Sequence, residues 1–470
     1  MGYIEEFVEV VGQENVRLGA DMEQYATDWT GQYHGTPLVV LRPKTTQEAS
    51  ACVKICAREK IAIVPVAGNT GLNGGTKAEN AVMISLERMN KIRDIRPDAG
   101  IAVVDAGVVL SSLHDAADEH RMVFPLTFGA RGSAMIGGVL STNAGGSNVV
   151  RYGSTRGLCL GLEVVLPDGR IMDLMTELRK DNSGYDLRNL MIGAEGTLGL
   201  ITGAVLRLFP KPRAYATAMI AVRSLDDALR LLNQLQEETG GAVEAFEYMP
   251  RRYIEGHLEL MDGARAPFDT LYDINILVEV GATATRESTM QADGTVPIVA
   301  SLEAILGKML EEETVLDAVI AQSEAQRREM WDRREAAAEI MMPGRWVVNH
   351  DIAVPLDKVA AFEEQIKPRL GEIDPEATSI TVSHLGDGNV HYTVWPTGNS
   401  PDLADRIMEA VEDVALDLGG TFSAEHGIGL SKLNSMKRRK NDVALDIMRA
   451  VKQAIDPDNI MNPGKVLPAP

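Results

Sequence analysis

Cysteine is scarce in this chain: Cys52, Cys56 and Cys159 are the only three among 470 residues. So few thiols build no disulfide framework and suit a reducing compartment. Cys52 and Cys56 fall one helical turn apart in TQEASACVKICAREK, with no partner ligand nearby in sequence, and read as core-facing residues rather than a metal or redox pair. No paired-cysteine cluster or haem-attachment spacing occurs, so neither an iron–sulfur nor a c-type haem centre is expected. Basic residues are in deficit too, 46 Lys and Arg against 67 Asp and Glu, for a net charge of −21. Scattered as they are, they argue against nucleic acid or an anionic membrane as a partner, and an anionic substrate would need a local cationic pocket. Apolar residues make up 45% of the chain, yet no run approaches the roughly 18 residues of a spanning helix, so no integral membrane segment is expected. The N-terminal MGYIEEFVEVVGQENV has acidic residues where a secretory leader has basic ones, and Glu6 where myristoylation needs Ser or Thr. It reads as an amphipathic helix of a protein that is cytoplasmic or peripheral at the inner membrane face.

A chain this long exceeds one ordinary core, so two or three domains are expected. Glycine is abundant in the first half. KIAIVPVAGNTGLNGGTKAENAVMISLERM opens with a buried-type strand and then places Gly68, Gly71, Gly74 and Gly75 within eight residues. Such a loop can turn successive backbone N–H groups onto an anion. It is neither a Walker loop nor a Rossmann fingerprint, and alone it would suit a turn-rich linker equally well. Two more clusters follow, in FPLTFGARGSAMIGGVLSTNAGGSNVVRYGSTRGLCLGLEVVLPDGR and in DNSGYDLRNLMIGAEGTLGLITGAVLRLFP, with Asp168-Gly169 marking a hairpin between them. Three such loops alternating with strands point to one extended, phosphate-bearing ligand.

This half resembles the flavin-binding domain of the vanillyl-alcohol oxidase and p-cresol methylhydroxylase superfamily, through AGNTGLNGG, GSAMIGGVLSTNAGG and GAEGTLGLIT. The resemblance implies FAD, with its pyrophosphate at the first stretch and its isoalloxazine beside the second. The implied contacts are Gly68, Asn69, Thr70, Gly71, Gly74, Gly75, Thr127, Gly129, Ser133, Gly137, Gly138, Thr142, Asn143, Gly145 and Ile201. Ala67 stands where many relatives carry another glycine, a change expected to be tolerated. His114 and His120, on the helix-like LSSLHDAADEHRMVFP, read as exposed polar residues, so the FAD is expected to be held non-covalently.

From about Lys211 the pattern alternates strand and helix: AYATAMIAVRS, LDDALRLLNQLQEE, AVEAFEYM, LYDINILVEVGA. This predicts an antiparallel sheet with helices on one face, suited to covering a substrate. The stretch TVSHLGDGNVHYTVW adds a hairpin. A two-residue type I′ turn at Asp387-Gly388 would set His384 opposite His391, with Cβ atoms about 5 Å apart, close enough to share a metal. A surface hairpin with two unrelated histidines is the plainer alternative. Asp387 is expected to stay in the turn and cap backbone N–H groups. Glu425 and His426 follow, between glycines, in GGTFSAEHGIGLSKL. His384, His391 and Glu425 match the two-histidine, one-glutamate set of a catalytic zinc site, although manganese, iron or cobalt suits the same donors, and His426 is left free as a base. A metallohydrolase could use such a site. It would lack a His-Glu-x-x-His helix and leave the glycine loops without a purpose.

From roughly Thr36 to Leu467 the chain resembles the flavin- and metal-dependent D-2-hydroxy-acid dehydrogenases, the group holding D-2-hydroxyglutarate and D-lactate dehydrogenases. HLGDGNVH, SAEHGIG and AIDPDNIMNPGKVL carry the resemblance. It implies an α+β architecture: an FAD-binding domain over 1–210, a ferredoxin-like antiparallel-sheet substrate domain over 211–420 with most of the metal site, and a helical C-terminal segment, 421–470, returning to the first domain. It also implies one divalent metal, zinc first, held by His384, His391 and Glu425, with His426 as general base and Asn462 beside the flavin. In REMWDRREAAAEIMM, Arg334 matches the arginine that binds the substrate carboxylate, while Arg327, Arg328 and Arg333 nearby would equally suit a solvated helix face. Asn349 and Thr393 stand where D-2-hydroxyglutarate dehydrogenases often show Lys and Asn, and Ala338 replaces a hydroxyl-bearing residue. Each charge-assisted bond so lost is worth roughly 1.5–3 kcal/mol, so a D-lactate-like acid is nearly as strong an expectation as D-2-hydroxyglutarate. The implied reaction passes a hydride to flavin N5 and electrons onward to an external quinone or electron-transfer flavoprotein, and a homodimer is the expected oligomer. A metal-free flavin oxidase of an alcohol or sugar in the same superfamily is the leading alternative.

Overall fold

Thr45 opens the helix Thr46–Glu59: its hydroxyl accepts from the Glu48 N–H at 3.1 Å, while the Glu48 carboxylate accepts from the Lys44 N–H at 2.7 Å. This is a variant of the reciprocal capping box. Cys52 and Cys56 on the inner face are fully buried, and burial pushes the Cys56 thiol up to about 12, which keeps it inert. The N-terminal stretch forms the helix Tyr3–Val11, burying Phe7 and Val11.

The computed structural model describes residues 2–341 and 346–469 and divides into two units. One comprises Met1–Gly145, Gly153–Pro210 and Glu425–Pro470; the other Gly146–Tyr152 and Lys211–Ala424. Among the described residues no helix is long and apolar enough to cross a membrane.

The first unit holds a four-stranded sheet, in the order Val16–Arg17, Val39–Leu41, Val82–Ser85, Ile63–Val66, whose first pairing is antiparallel and whose other two are parallel. Val39–Leu41 is buried throughout, as a parallel strand covered on both faces must be. The C-terminal segment extends the Ile63 edge: the Ile63 N–H donates to the Ile460 carbonyl and the Asn462 N–H to the Ile63 carbonyl, both at 2.7 Å. A five-stranded antiparallel sheet accompanies it, in the order Ile92–Arg96, Ile101–Asp105, Leu200–Arg207, Cys159–Val165, Ile171–Leu174. Its last two strands turn through Asp168-Gly169, with Gly169 at φ +80°.

The second unit is built on a seven-stranded antiparallel sheet, in the order Val315–Ile320, Ala214–Val222, Ile274–Ala282, Val243–Pro250, Thr378–His384, Asn389–Trp395, Val348–Ala353. Alternate residues face opposite sides. Ile220, Val278, Phe246 and Tyr392 share a core with the helices Leu225–Glu238, Pro297–Glu311, Val359–Ile373 and Pro401–Asp417. Ala228, Leu231, Leu232 and Leu235 give the first of these helices its buried stripe, at the spacing a 3.6-residue period requires. Helices on one face only were expected, but the other face is covered too. There Met219, Leu277, Met249 and Val382 pack with Tyr253 and Ile254 of the helix Arg251–Leu260, with Met330 of the helix Glu324–Glu335, and with Ile340.

The hairpin that carries His384 and His391 departs from its expected register. His384 pairs with Asn389, and His391 with Val382, so four residues, Leu385 to Gly388, make the turn. Of the two tip residues only Gly388 has a positive φ, +81°, whereas a type I′ turn needs two. The Asp387 side chain accepts from the Asn389 N–H at 3.1 Å, the capping expected of it. His384 and His391 are therefore diagonal rather than directly opposed, but they remain on one face with ring centroids 5.3 Å apart.

Candidate functional site

In the first unit the flavin-loop residues Gly68, Asn69, Thr70, Gly71, Gly74 and Gly75 follow the strand Ile63–Val66. A Cβ on Gly68 would lie 2.1 Å from the Ser133 carbonyl oxygen, so only glycine lets this loop meet the 127–133 segment that carries Thr127, Gly129 and Ser133. Asn69, at φ +51°, is fixed by its side chain, which donates to the Thr27 carbonyl at 2.9 Å and accepts from the Thr76 hydroxyl at 2.7 Å. Gly137, Gly138 and Thr142 lie on the helix Ile136–Thr142, with Asn143 as its left-handed cap and Gly145 just beyond. The Ala67 methyl fits because the residue it meets is Gly138, where a Cβ would stand 3.2 Å away. Ile201 is on the Leu200–Arg207 strand.

Asn462 sits at φ +42° with its amide donating to the carbonyls of Gly75 and Glu195, at 3.1 and 2.7 Å. Its Oδ1 is buried without a partner, a polar atom left for a ligand. That orphan and the side-chain-free approach at Gly68 are what a flavin cradle requires. His114 departs from expectation: its helix, Leu110–Asp118, turns it inward, it is only partly exposed, and burial lowers its pKa. His120 lies past the helix end and is exposed.

Two residues that the sequence did not single out hold the loop bearing His426. The Glu195 carboxylate accepts from the N–H groups of Ile428 and Gly429 at 2.7 and 2.8 Å, and burial pushes its pKa up. Asn73 donates to the carbonyls of His426 and Gly427. A Cβ on Gly429 would lie 2.1 Å from the Asn73 carbonyl, so that approach also depends on glycine. Within the same loop His426 Nε2 is 3.7 Å from Glu425 Oε1.

In the second unit, His384, His391, Asp351, Asn349 and Thr393 share one face of the sheet. Asp351 pairs with His391 in the ladder, and each presents a ligand atom within 4.8 Å of the other's. Asp351, 2% exposed, was not foreseen; it is oriented by the Asn389 amide, which donates to it at 2.9 Å. The Thr393 hydroxyl donates to Asn349 Oδ1 at 2.7 Å. Ala424, the last residue of this unit, donates its N–H to the Asp351 carbonyl at 3.2 Å. Nitrogen and carboxylate donors in this arrangement suit a borderline divalent ion.

Arg334 lies on the helix Glu324–Glu335, not on a solvated face of it. Its residue is 8% exposed, and its Nε donates to Glu247 Oε2 at 2.8 Å. Nη2 is buried with no partner, the unspent donor a substrate carboxylate would use. The helix is pinned by Arg327, which forks onto Glu279 at 2.6 and 2.7 Å, and by Trp331, whose indole N–H donates to the same carboxylate at 2.9 Å. Glu247, buried completely, is a further residue the sequence did not mark.

Residues 37–175 match the family described as FAD binding domain, and residues 211–466 match FAD linked oxidases, C-terminal domain. The chain is 35% identical over 464 residues to the mitochondrial D-2-hydroxyglutarate dehydrogenase of Arabidopsis thaliana, covering 98% of this chain and 81% of that one. It is 35% identical over 454 residues to D-2-hydroxyglutarate dehydrogenase of Xanthomonas citri, covering 95% and 93%. Among solved structures, p-cresol methylhydroxylase with substrate bound superposes with a TM-score of 0.72 at 16% identity, over 98% of this chain and 96% of that one, and shares the fold.

Proposed function

Because this chain belongs to the FAD-linked oxidase family that includes the D-2-hydroxyglutarate dehydrogenases, we propose that it is an FAD- and divalent-metal-dependent dehydrogenase oxidising a D-2-hydroxy acid to the 2-oxo acid. When bound, FAD supplies the hydride acceptor and the divalent ion the positive charge that acidifies the substrate hydroxyl. His384, His391 and Glu425 would hold that ion, zinc before manganese, iron or cobalt. His426 takes the hydroxyl proton on an imidazole nitrogen, and Arg334 grips the substrate carboxylate through its free Nη2. Asn349 and Thr393 contact the rest of the acid, and their neutral pair favours a short or singly charged side chain as much as a second carboxylate. An external quinone or electron-transfer flavoprotein would be the final electron acceptor.

The observation that carries the reading is the dry, half-paired guanidinium of Arg334, on the same unit as the two histidines. Dye-linked turnover with paired D- and L-2-hydroxy acids tests it. Turnover confined to D-acids supports the reading; turnover of simple alcohols or sugars in their place would assign a metal-free oxidase.

A further inference from the structure

Glu247 reaches two elements that no local sequence feature connects. It lies on the strand Val243–Pro250 directly opposite His384 in the ladder. His384 Nδ1 is 2.9 Å from its Oε1 and 2.8 Å from its Oε2, and Arg334 Nε donates to Oε2 at 2.8 Å. Glu247 has no exposed surface.

A carboxylate has only lone pairs to offer, so the His384 nitrogen facing it must carry the proton. In the neutral ring this leaves Nε2 unprotonated, the tautomer in which that nitrogen can ligate a metal. Oε2 fixes Arg334 by its Nε and leaves Nη2 for another anion. We propose that Glu247 is the positioning residue of the site: it sets the metal-binding tautomer of His384 and the aim of Arg334 together, so that cation and substrate carboxylate are received in one register. This rests on the metal-dependent reading above.

Glu247→Gln is the test, because an amide that accepts from Arg334 must turn its NH2 towards His384 Nδ1 and move the ring proton to Nε2. With FAD content and thermal midpoint near wild type, the variant is expected to bind zinc about 10–100-fold more weakly and to show a raised KM for the acid. Zinc affinity and KM both within twofold of wild type would overturn the inference while leaving the metal reading intact. A wild-type protein that binds no divalent ion would remove the metal reading itself, and this inference with it. Should the variant not fold, 15N-histidine NMR of the zinc-loaded wild type, with His384→Gln for assignment, gives the same answer. A proton on Nδ1 is expected, and a proton on Nε2 contradicts the proposal.

Discussion

The side-chain amide of Asn73 donates to the carbonyl oxygen of His426 at 2.8 Å, and to that of Gly427 at the same distance. A residue of the glycine loop thus grips the backbone that presents the proposed base. His426→Gln is therefore predicted to keep FAD while slowing flavin reduction roughly 10²–10⁴-fold. Asn73→Ala is predicted to slow it by about tenfold or more through misplacement of the same imidazole. Stopped-flow reduction rates measure both, and an unchanged rate in His426→Gln would remove the base assignment.

Gly68→Ala places a methyl where the Ser133 carbonyl leaves 2.1 Å. The backbone must part there, and the variant is predicted to purify with much less FAD per chain. The ratio of flavin to protein absorbance reads this directly.

Arg334→Lys keeps a positive charge for Glu247 but loses the fork. Its predicted effect is a KM for the acid higher by roughly 10–100-fold, the loss of about one or two charge-assisted bonds. A KM within twofold of wild type would take Arg334 out of the substrate pocket.

Lys465 is 8% exposed and donates to the Lys77 carbonyl at 2.7 Å. Burial, with the Lys77 charge adding to it, pushes its ammonium from 10.5 down to about 8. Between those values the unfolded chain binds more protons than the folded one, so stability rises with pH across this window. The burial cost is present below it. Urea midpoints from pH 7 to 10 should show this rise in wild type and lose it in Lys465→Met; identical profiles would contradict the assignment.

What could be read from the sequence was local. The helical stretch LDDALRLLNQLQEE, the Asp168-Gly169 turn and the glycine loops are all set over a few residues, and the structure has them. The hairpin was legible in kind but not in register, because Asp387-Gly388 also suits a four-residue turn with one left-handed glycine. Glu247 was out of reach: its partners Arg334 and His384 lie 87 and 137 residues away. Arg327, Trp331 and Arg334 fall at i, i+4 and i+7, a helical stripe that is polar because it meets Glu279 and Glu247. A search for apolar periodicity passes over such a face.

Anaerobic bleaching of the flavin absorbance by D-2-hydroxy acids, before and after dialysis against a strong chelator, tests the central claim most directly. The account predicts that at least one D-acid bleaches the flavin, that its L-enantiomer does not, that chelation abolishes the response and that zinc restores it. Full bleaching by a D-acid in metal-free protein would contradict it.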